Sequence, residues 1–237
     1  MRTKIAIGLS GFKRSGKTTV KEVIEKYLKE NLGLVVQEIM MADHLKNVCA
    51  ILCETPRFHM DDQAYKEVLF DKPIVITSDF LTSLLTSFEI LTFENLHTLS
   101  KHRGVELESP RHALQYIGTN VLREIDPDIH LKIALKQAKD HDAVIFTDCR
   151  FKNESDGVRG LESSGFTVIQ AWVDRPVVTK ETHALYERGE LHFSEAAMFE
   201  FSATLPEIRN DGSLEDLKKR TYQTLIPQLN ESNQASE

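Results

Sequence analysis

Cysteine is scarce in this 237-residue sequence: only Cys49, Cys53 and Cys149 are present. So few, odd in number and with no secretory leader read ahead of them, they exclude a disulfide scaffold and imply reduced thiols in a cytoplasmic compartment. Cys49 and Cys53 stand four apart and share a helical face, but no second Cys/His pair sits at zinc-finger spacing, so they read as buried structural thiols. The apolar run at the amino terminus is too short for a membrane span and no small-residue cleavage site follows it. A formal net charge of -7 argues against a surface that coats DNA or RNA. No internal repeat, low-complexity segment or Gly/Ser linker divides the chain. The guanine-reading N-K-x-D of a GTPase is also missing. The expectation is a protein without membrane or nucleic-acid partners, one domain over residues 1–229, and a frayed, disordered polar tail over 230–237.

What the sequence does contain is alternation. Residues 4–10 read as a buried strand, 16–30 as a helix, 34–41 as a second β-rich run and 42–53 as a helix. Residues 54–76 read mostly as loop and 78–102 as helical. Ser109 is an N-cap with Pro110 at the first helical position, which predicts one helix through Ile125. A further helix spans 128–139. "DAVIFTD" is a continuous apolar run ending in an acid, the mark of a buried parallel strand. A helix over 153–164, a strand "FTVIQAWV", a weaker strand over 202–209 and a carboxy-terminal amphipathic helix complete the pattern. Strand–helix alternation at both ends predicts an α/β fold, a three-layer parallel sheet with helices on both faces. The middle, about 54–125, breaks the alternation and reads as an inserted, mostly helical part.

The strongest local signal is Gly11-Phe12-Lys13-Arg14-Ser15-Gly16-Lys17-Thr18, which matches G-x-x-x-x-G-K-[ST] between a strand and a helix. Glycines allow backbone turns that aim N–H groups inward, and the following helix N-terminus adds to them, making a phosphate site. Lys17 reaches the β- and γ-phosphates of a nucleoside triphosphate, and the Thr18 hydroxyl suits Mg²⁺. Three other stretches bear on what happens to that triphosphate. Asp148 ends the "DAVIFTD" strand, where an acid holds metal-bound water or orients a nucleophile, and Arg150 follows at the carboxyl edge of the sheet. On a helix, Arg111 and Gln115 share a face; the guanidinium fork suits phosphate and the amide can read a base edge. His183, Arg188, His192 and Glu195 crowd a segment that could act as a lid, about 176–200, bringing a cation onto the phosphates.

The stretches "GFKRSGKTT", "MADHLKNV", "SPRHALQYIGTNVLREIDPDIH", "VIFTDCRFKNESDGVRGLESSGFTVIQAWVDRP", "HFSEAAM" and "IRNDGSLEDL" resemble, in order, those of the deoxynucleoside monophosphate kinases of tailed bacteriophages, within the P-loop kinase superfamily. The resemblance covers most of the chain except about 54–108. It implies transfer of the γ-phosphoryl group of ATP to a dNMP with Mg²⁺, in a host cytoplasm if the gene is phage-borne, by a chain that can form a homodimer. On matching positions it implies that Gly11, Lys13, Arg14, Ser15, Gly16, Lys17, Thr18 and Thr19 cradle the ATP phosphates and that Asn210 approaches the adenine. It places Asp43 and Lys46 in the monophosphate pocket, and Arg111, Gln115 and Thr119 on the helix facing the acceptor. Asp148 and Arg150 fall at the reacting phosphates with Glu154 nearby. Phe193 stands where the family usually has a polar residue. Dephospho-CoA kinases and other small-metabolite kinases share part of this plan, and a nucleotide-dependent hydrolase or switch is the competing class.

Overall fold

The computed structural model describes residues 4–88 and 92–234. Among them are seven strands: β1 Lys4–Ser10, β2 Val36–Ile39, β3 Ile74–Val75, β4 Glu106–Leu107, β5 Ala143–Phe146, β6 Phe166–Asp174 and β7 Glu207–Arg209. The chain divides into two compact units, Met1–Met41 with Ala134–Glu237, and Ala42–Ile133.

The first unit holds a five-stranded sheet in the order β2-β5-β1-β6-β7, every pair parallel. β1 lies at its centre, with Ile7 in register with Ile145 on one side and Ile169 on the other. Central parallel strands are covered on both faces, which explains the nearly continuous burial of β1 and the full burial of β5. Ile5, Ile7 and Leu9 project to one face. They join a core with Val20, Ile24 and Leu28 of the Lys17–Leu32 helix and Leu217, Leu225 and Ile226 of the Leu214–Gln234 helix. The alternate residue Gly8 looks to the other face, where a β-carbon would stand 3.2 Å from Gln170 and 3.4 Å from Val158 of the Lys152–Arg159 helix. Helix, sheet and helix thus make the three layers of an α/β fold. The order of the strands places the carboxyl ends of β1 and β5 side by side and sends the chain to the other side of β1 at β6, the arrangement at which open α/β sheets bind ligands.

The second unit starts with the helix Asp43–Leu52, earlier than residue 54, and runs to Ile133, beyond residue 125. Its core gathers Leu45, Val48 and Cys49 with Phe80, Leu81, Leu84, Ile117 and Val121. The β3–β4 pair is a small antiparallel sheet. Residues 54–76, read as mostly loop, contain a 3₁₀ turn at Arg57–Met60 and a short helix at Gln63–Lys66; burial of Met60, ring contacts with Tyr65 and the side-chain pairing described below support turns that the sequence pattern does not announce. The helical reading of 78–102 is met by Ser78–Ser87 and Leu96–Ser100, with residues 89–91 outside the described set.

Three further expectations differ in local detail. Residues 110–125 are helical, but Tyr116–Leu122 takes the wider π form between α-helical turns. Gly118 there packs on Leu45, whose Cδ2 would be 2.6 Å from a β-carbon at 118, and its carbonyl is 3.2 Å from His130 Nε2; tertiary contact sets that register. Residues 202–209 begin as a 3₁₀ turn, Ser202–Thr204, and only Glu207–Arg209 pair as strand. Pro206 has no N–H, and its carbonyl accepts the Trp172 N–H at 2.9 Å. The last helix continues through Pro227 to Gln234, past the residue-229 limit set for the domain, while residues 235–237 of the expected tail lie outside the described residues.

Candidate functional site

The loop after β1 is shaped by three residues in the left-handed half of backbone space, Gly11 (φ 148°), Arg14 (φ 68°) and Gly16 (φ 109°). A β-carbon at Gly11 would stand 2.5 Å from the Val173 carbonyl oxygen and 2.7 Å from Ser15 Oγ, so the position admits only glycine. Phe12 anchors the loop from beneath: it is buried, edge-on to Trp172 at 5.1 Å and tilted against Phe199 at 5.0 Å. Gly16 caps the Lys17–Leu32 helix without a side-chain partner for its amides, and the first turn contains no acid. Amide donors without a side-chain cap and the positive end of the helix dipole therefore stand at the same loop.

Inside the loop Lys17 Nζ donates to the carbonyls of Gly11 at 2.6 Å and Phe12 at 3.0 Å. Burial pushes its pKa down to about 8, and the Arg150 guanidinium pushes the same way, against Glu195 and Asp148. Two cations forced close together in a part-buried loop make a place for a polyanion. Ser15 Oγ is buried and finds no partner among the described residues, an orphan hydroxyl pointing to a ligand oxygen. Thr18 is exposed at the start of the helix and Thr19 is half-buried behind it. Lys13 and Arg14 are exposed; Arg14 pairs with Glu181 at 3.3 Å.

Asp148 follows β5 and its Oδ1 accepts the Met41 N–H at 2.7 Å, which fixes the carboxylate at the sheet edge. The Arg150 guanidinium reaches Glu195 at 3.0 Å and Ser194 at 3.3 Å. Glu154, expected near the acceptor, is buried and accepts the backbone N–H groups of Arg150 at 2.8 Å and Phe151 at 3.2 Å. It caps the Lys152–Arg159 helix and holds the Arg150 backbone in place. Of the four residues singled out in the segment read as a lid, Glu195 comes to Arg150, and Ser194 beside it does the same. His183 pairs with Glu187 and Arg188 with Glu190, while His192 caps the turn containing Ser194. What that segment presents to Arg150 is a carboxylate and a hydroxyl. Phe193 is exposed and rests against Phe151 at 5.6 Å. Asn210 points at the loop itself: Nδ2 donates to the Ser15 carbonyl at 2.7 Å.

The remaining predicted residues form two clusters inside the second unit. Arg57, absent from the sequence reading, donates to Asp43 at 2.5 Å and Asn47 at 2.6 Å and pairs with Asp61. Lys46 pairs with the same Asp61 at 3.1 Å. Arg111 donates to Gln63 at 2.8 Å and pairs with Glu67. These bonds hold the 57–60 and 63–66 turns in place. Gln115 and Thr119, both half-buried, follow Arg111 along its segment, Thr119 within the π stretch. The signal for Arg57 and Asp61 was their i,i+4 spacing, legible only once that region is known to be helical.

All three thiols are buried, and burial raises the pKa of Cys49 and Cys149 well above the ordinary range and that of Cys53 to about 12. Among the described residues no group of three His, Cys, Asp or Glu side chains is arranged to hold a metal ion, and no helix is long and apolar enough to cross a membrane.

No protein-family model matches the chain. A protein of Acanthamoeba polyphaga mimivirus named "Putative deoxynucleotide monophosphate kinase" is 29% identical over 194 residues, covering 76% of this chain and 79% of its own. Among solved structures, an unliganded sugar kinase from Janibacter sp. is 15% identical with a TM-score of 0.33, over 94% of this chain and 95% of its own. Superposition at that level carries no information on activity, and the relative with a kinase name is viral but not a bacteriophage protein.

Proposed function

We propose that this protein is a nucleotide kinase that transfers the γ-phosphoryl group of ATP to a deoxynucleoside monophosphate, yielding ADP and a dNDP. The observation that carries the reading is the loop after β1: uncapped amides, an orphan Ser15 hydroxyl and a part-buried Lys17 converge where a helix begins. The kinase name of the mimivirus relative supports the choice of substrate, as does the resemblance of the stretches carrying Asp43, Lys46 and Arg111 to those of the phage kinases.

Phosphoryl transfer asks a protein for positioning and charge neutralisation. Lys17 exchanges its two carbonyl partners for β- and γ-phosphate oxygens, which favours its charged form. Arg150, held by Glu195 and by the Glu154-capped backbone, is assigned the charge that spreads over the equatorial oxygens in the transition state. Arg111 is assigned the acceptor phosphate, with Asp43, Lys46, Gln115 and Thr119 holding the rest of the nucleotide. An acceptor phosphate is already ionised at neutral pH. Its oxygen attacks the γ-phosphorus, the bond to the ADP oxygen breaks, and no proton has to be removed. Asp148, tied to the Met41 amide, orients groups at the sheet edge. The Thr18 hydroxyl is exposed at the start of the helix, beside the loop. It fits a Mg²⁺ ion that arrives with the nucleotide and supplies neutralisation of phosphate charge.

The test is ADP release from Mg-ATP against every common dNMP and NMP, with dephospho-CoA and simple metabolites as further acceptors. Acceleration by one or more dNMPs is expected. ADP release indifferent to any acceptor means a hydrolase or switch, and acceleration by a non-nucleotide acceptor alone overturns the substrate assignment.

A further inference from the structure

We infer that Asn210 is a positioning residue for the phosphate-binding loop, acting on the Gly16 amide. The inference rests on the nucleotide reading of that loop. Asn210 follows β7, and its own N–H donates to the Asp174 carbonyl at 2.6 Å, so its backbone is held against the end of β6. From there Nδ2 donates to the Ser15 carbonyl oxygen at 2.7 Å. The described peptide bonds are all trans, and in a planar trans peptide the C=O and the following N–H point in opposite directions. Turning the Ser15 carbonyl toward Asn210 therefore turns the Gly16 N–H away from it, to the side from which a phosphate is bound.

A side chain at 16 would have to displace the Asn210 amide. A β-carbon on Gly16 would stand 2.6 Å from Asn210 Nδ2, and the backbone there already has φ 109°. The second glycine of the motif and Asn210 are thus one device: the absent side chain leaves room for an amide that grips the peptide plane from outside. Ser15, whose hydroxyl is the buried orphan, belongs to the same peptide. Losing the grip lets the plane rotate and misaims the donor, while the polyanion-binding cations stay where they are.

A side chain that reads adenine and one that sets the loop differ in how they affect a ligand without a base. Calorimetric titration of Mg-ATP and of Mg-tripolyphosphate, into wild type, Asn210→Ala and Asn210→Asp, separates them. Asn210→Asp keeps the shape of the side chain but replaces the donor with a carboxylate facing a carbonyl. The expected result is that Asn210→Ala weakens both ligands by the same factor, about tenfold, the usual worth of a hydrogen bond, and that Asn210→Asp weakens both more. Stoichiometry reports the folded fraction, so a lowered population does not pass for a lowered affinity. Loss of ATP affinity with tripolyphosphate unchanged, or no loss of either, overturns the inference. Wild-type protein that binds neither ligand overturns the nucleotide reading, and the inference falls with it.

Discussion

Replacing Lys17 by methionine should make the protein more stable while abolishing transfer. The ammonium sits in the loop with its pKa lowered from 10.5 to about 8, chiefly by burial and then by Arg150. Such a shift, at about 1.4 kcal/mol per unit, corresponds to a penalty on the charged form of about 3 kcal/mol in the folded state. The residue is half-buried and not sealed from water, and methionine gives up the bonds to the Gly11 and Phe12 carbonyls. Solvent screening and those lost bonds together leave a net gain of about 1–2 kcal/mol. Its pH dependence has a definite sign. Below pH 8 lysine is charged in both folded and unfolded chains, so the penalty is present in full. Between about 8 and 10.5 the folded protein sheds the proton while the unfolded chain keeps it, so wild-type stability rises with pH. The advantage of the methionine variant should therefore be largest at pH 7 and shrink by pH 10. Trp172 is the sole tryptophan and lies buried in β6, in the same unit as the loop, so its fluorescence during urea unfolding reads the relevant unit. A methionine variant no more stable than wild type at pH 7, or a difference that does not narrow with pH, refutes the placement of a charged lysine in a poorly solvated loop. That result would also remove the physical reason for the loop to seek phosphate.

The same lowered pKa predicts that kcat/KM for ATP falls as pH rises through about 8, while kcat holds to higher pH because bound phosphate restores the proton; initial rates between pH 6 and 10 decide it. Gly11→Ala should abolish nucleotide binding and lower stability by more than about 2 kcal/mol, since its β-carbon would meet the Val173 backbone at 2.5 Å; calorimetry and urea unfolding check both. Arg111→Ala should raise the acceptor KM by about tenfold or more and leave kcat within about twofold, the pattern of lost uniform binding. Cys49, Cys53 and Cys149 should resist an aromatic disulfide reagent in the native protein and all react in denaturant, because each is buried with its pKa raised.

Local pattern was enough for the α/β class and for the loop. β1 and β5 show themselves as apolar runs because central parallel strands are buried on both faces. Gly11 and Gly16 show themselves because only glycine tolerates those dihedral angles at such close approach. Lys17 comes with them, since the motif fixes its distance from the turn. What failed to show was any element whose stability is not its own. The turns at 57–60 and 63–66 have no hydrophobic period; buried Met60, ring contacts of Phe58 and His59 with Tyr65, and ion pairs from Arg57 and Arg111 hold them. The π stretch at 116–122 arises from packing on Leu45 and the approach of His130 to the Gly118 carbonyl, partners distant in sequence.

The sequence alone determined where the glycine-rich loop lies and that a parallel sheet carries it, because backbone sterics and burial act on neighbouring residues. Tertiary structure alone decided what the polar side chains face. Glu154 turns back onto the Arg150 backbone, Glu195 takes the Arg150 guanidinium, and Asn210 grips Ser15. A hydrogen bond goes to whichever donor or acceptor the fold brings within 3 Å or so, and spacing along the chain does not record that distance.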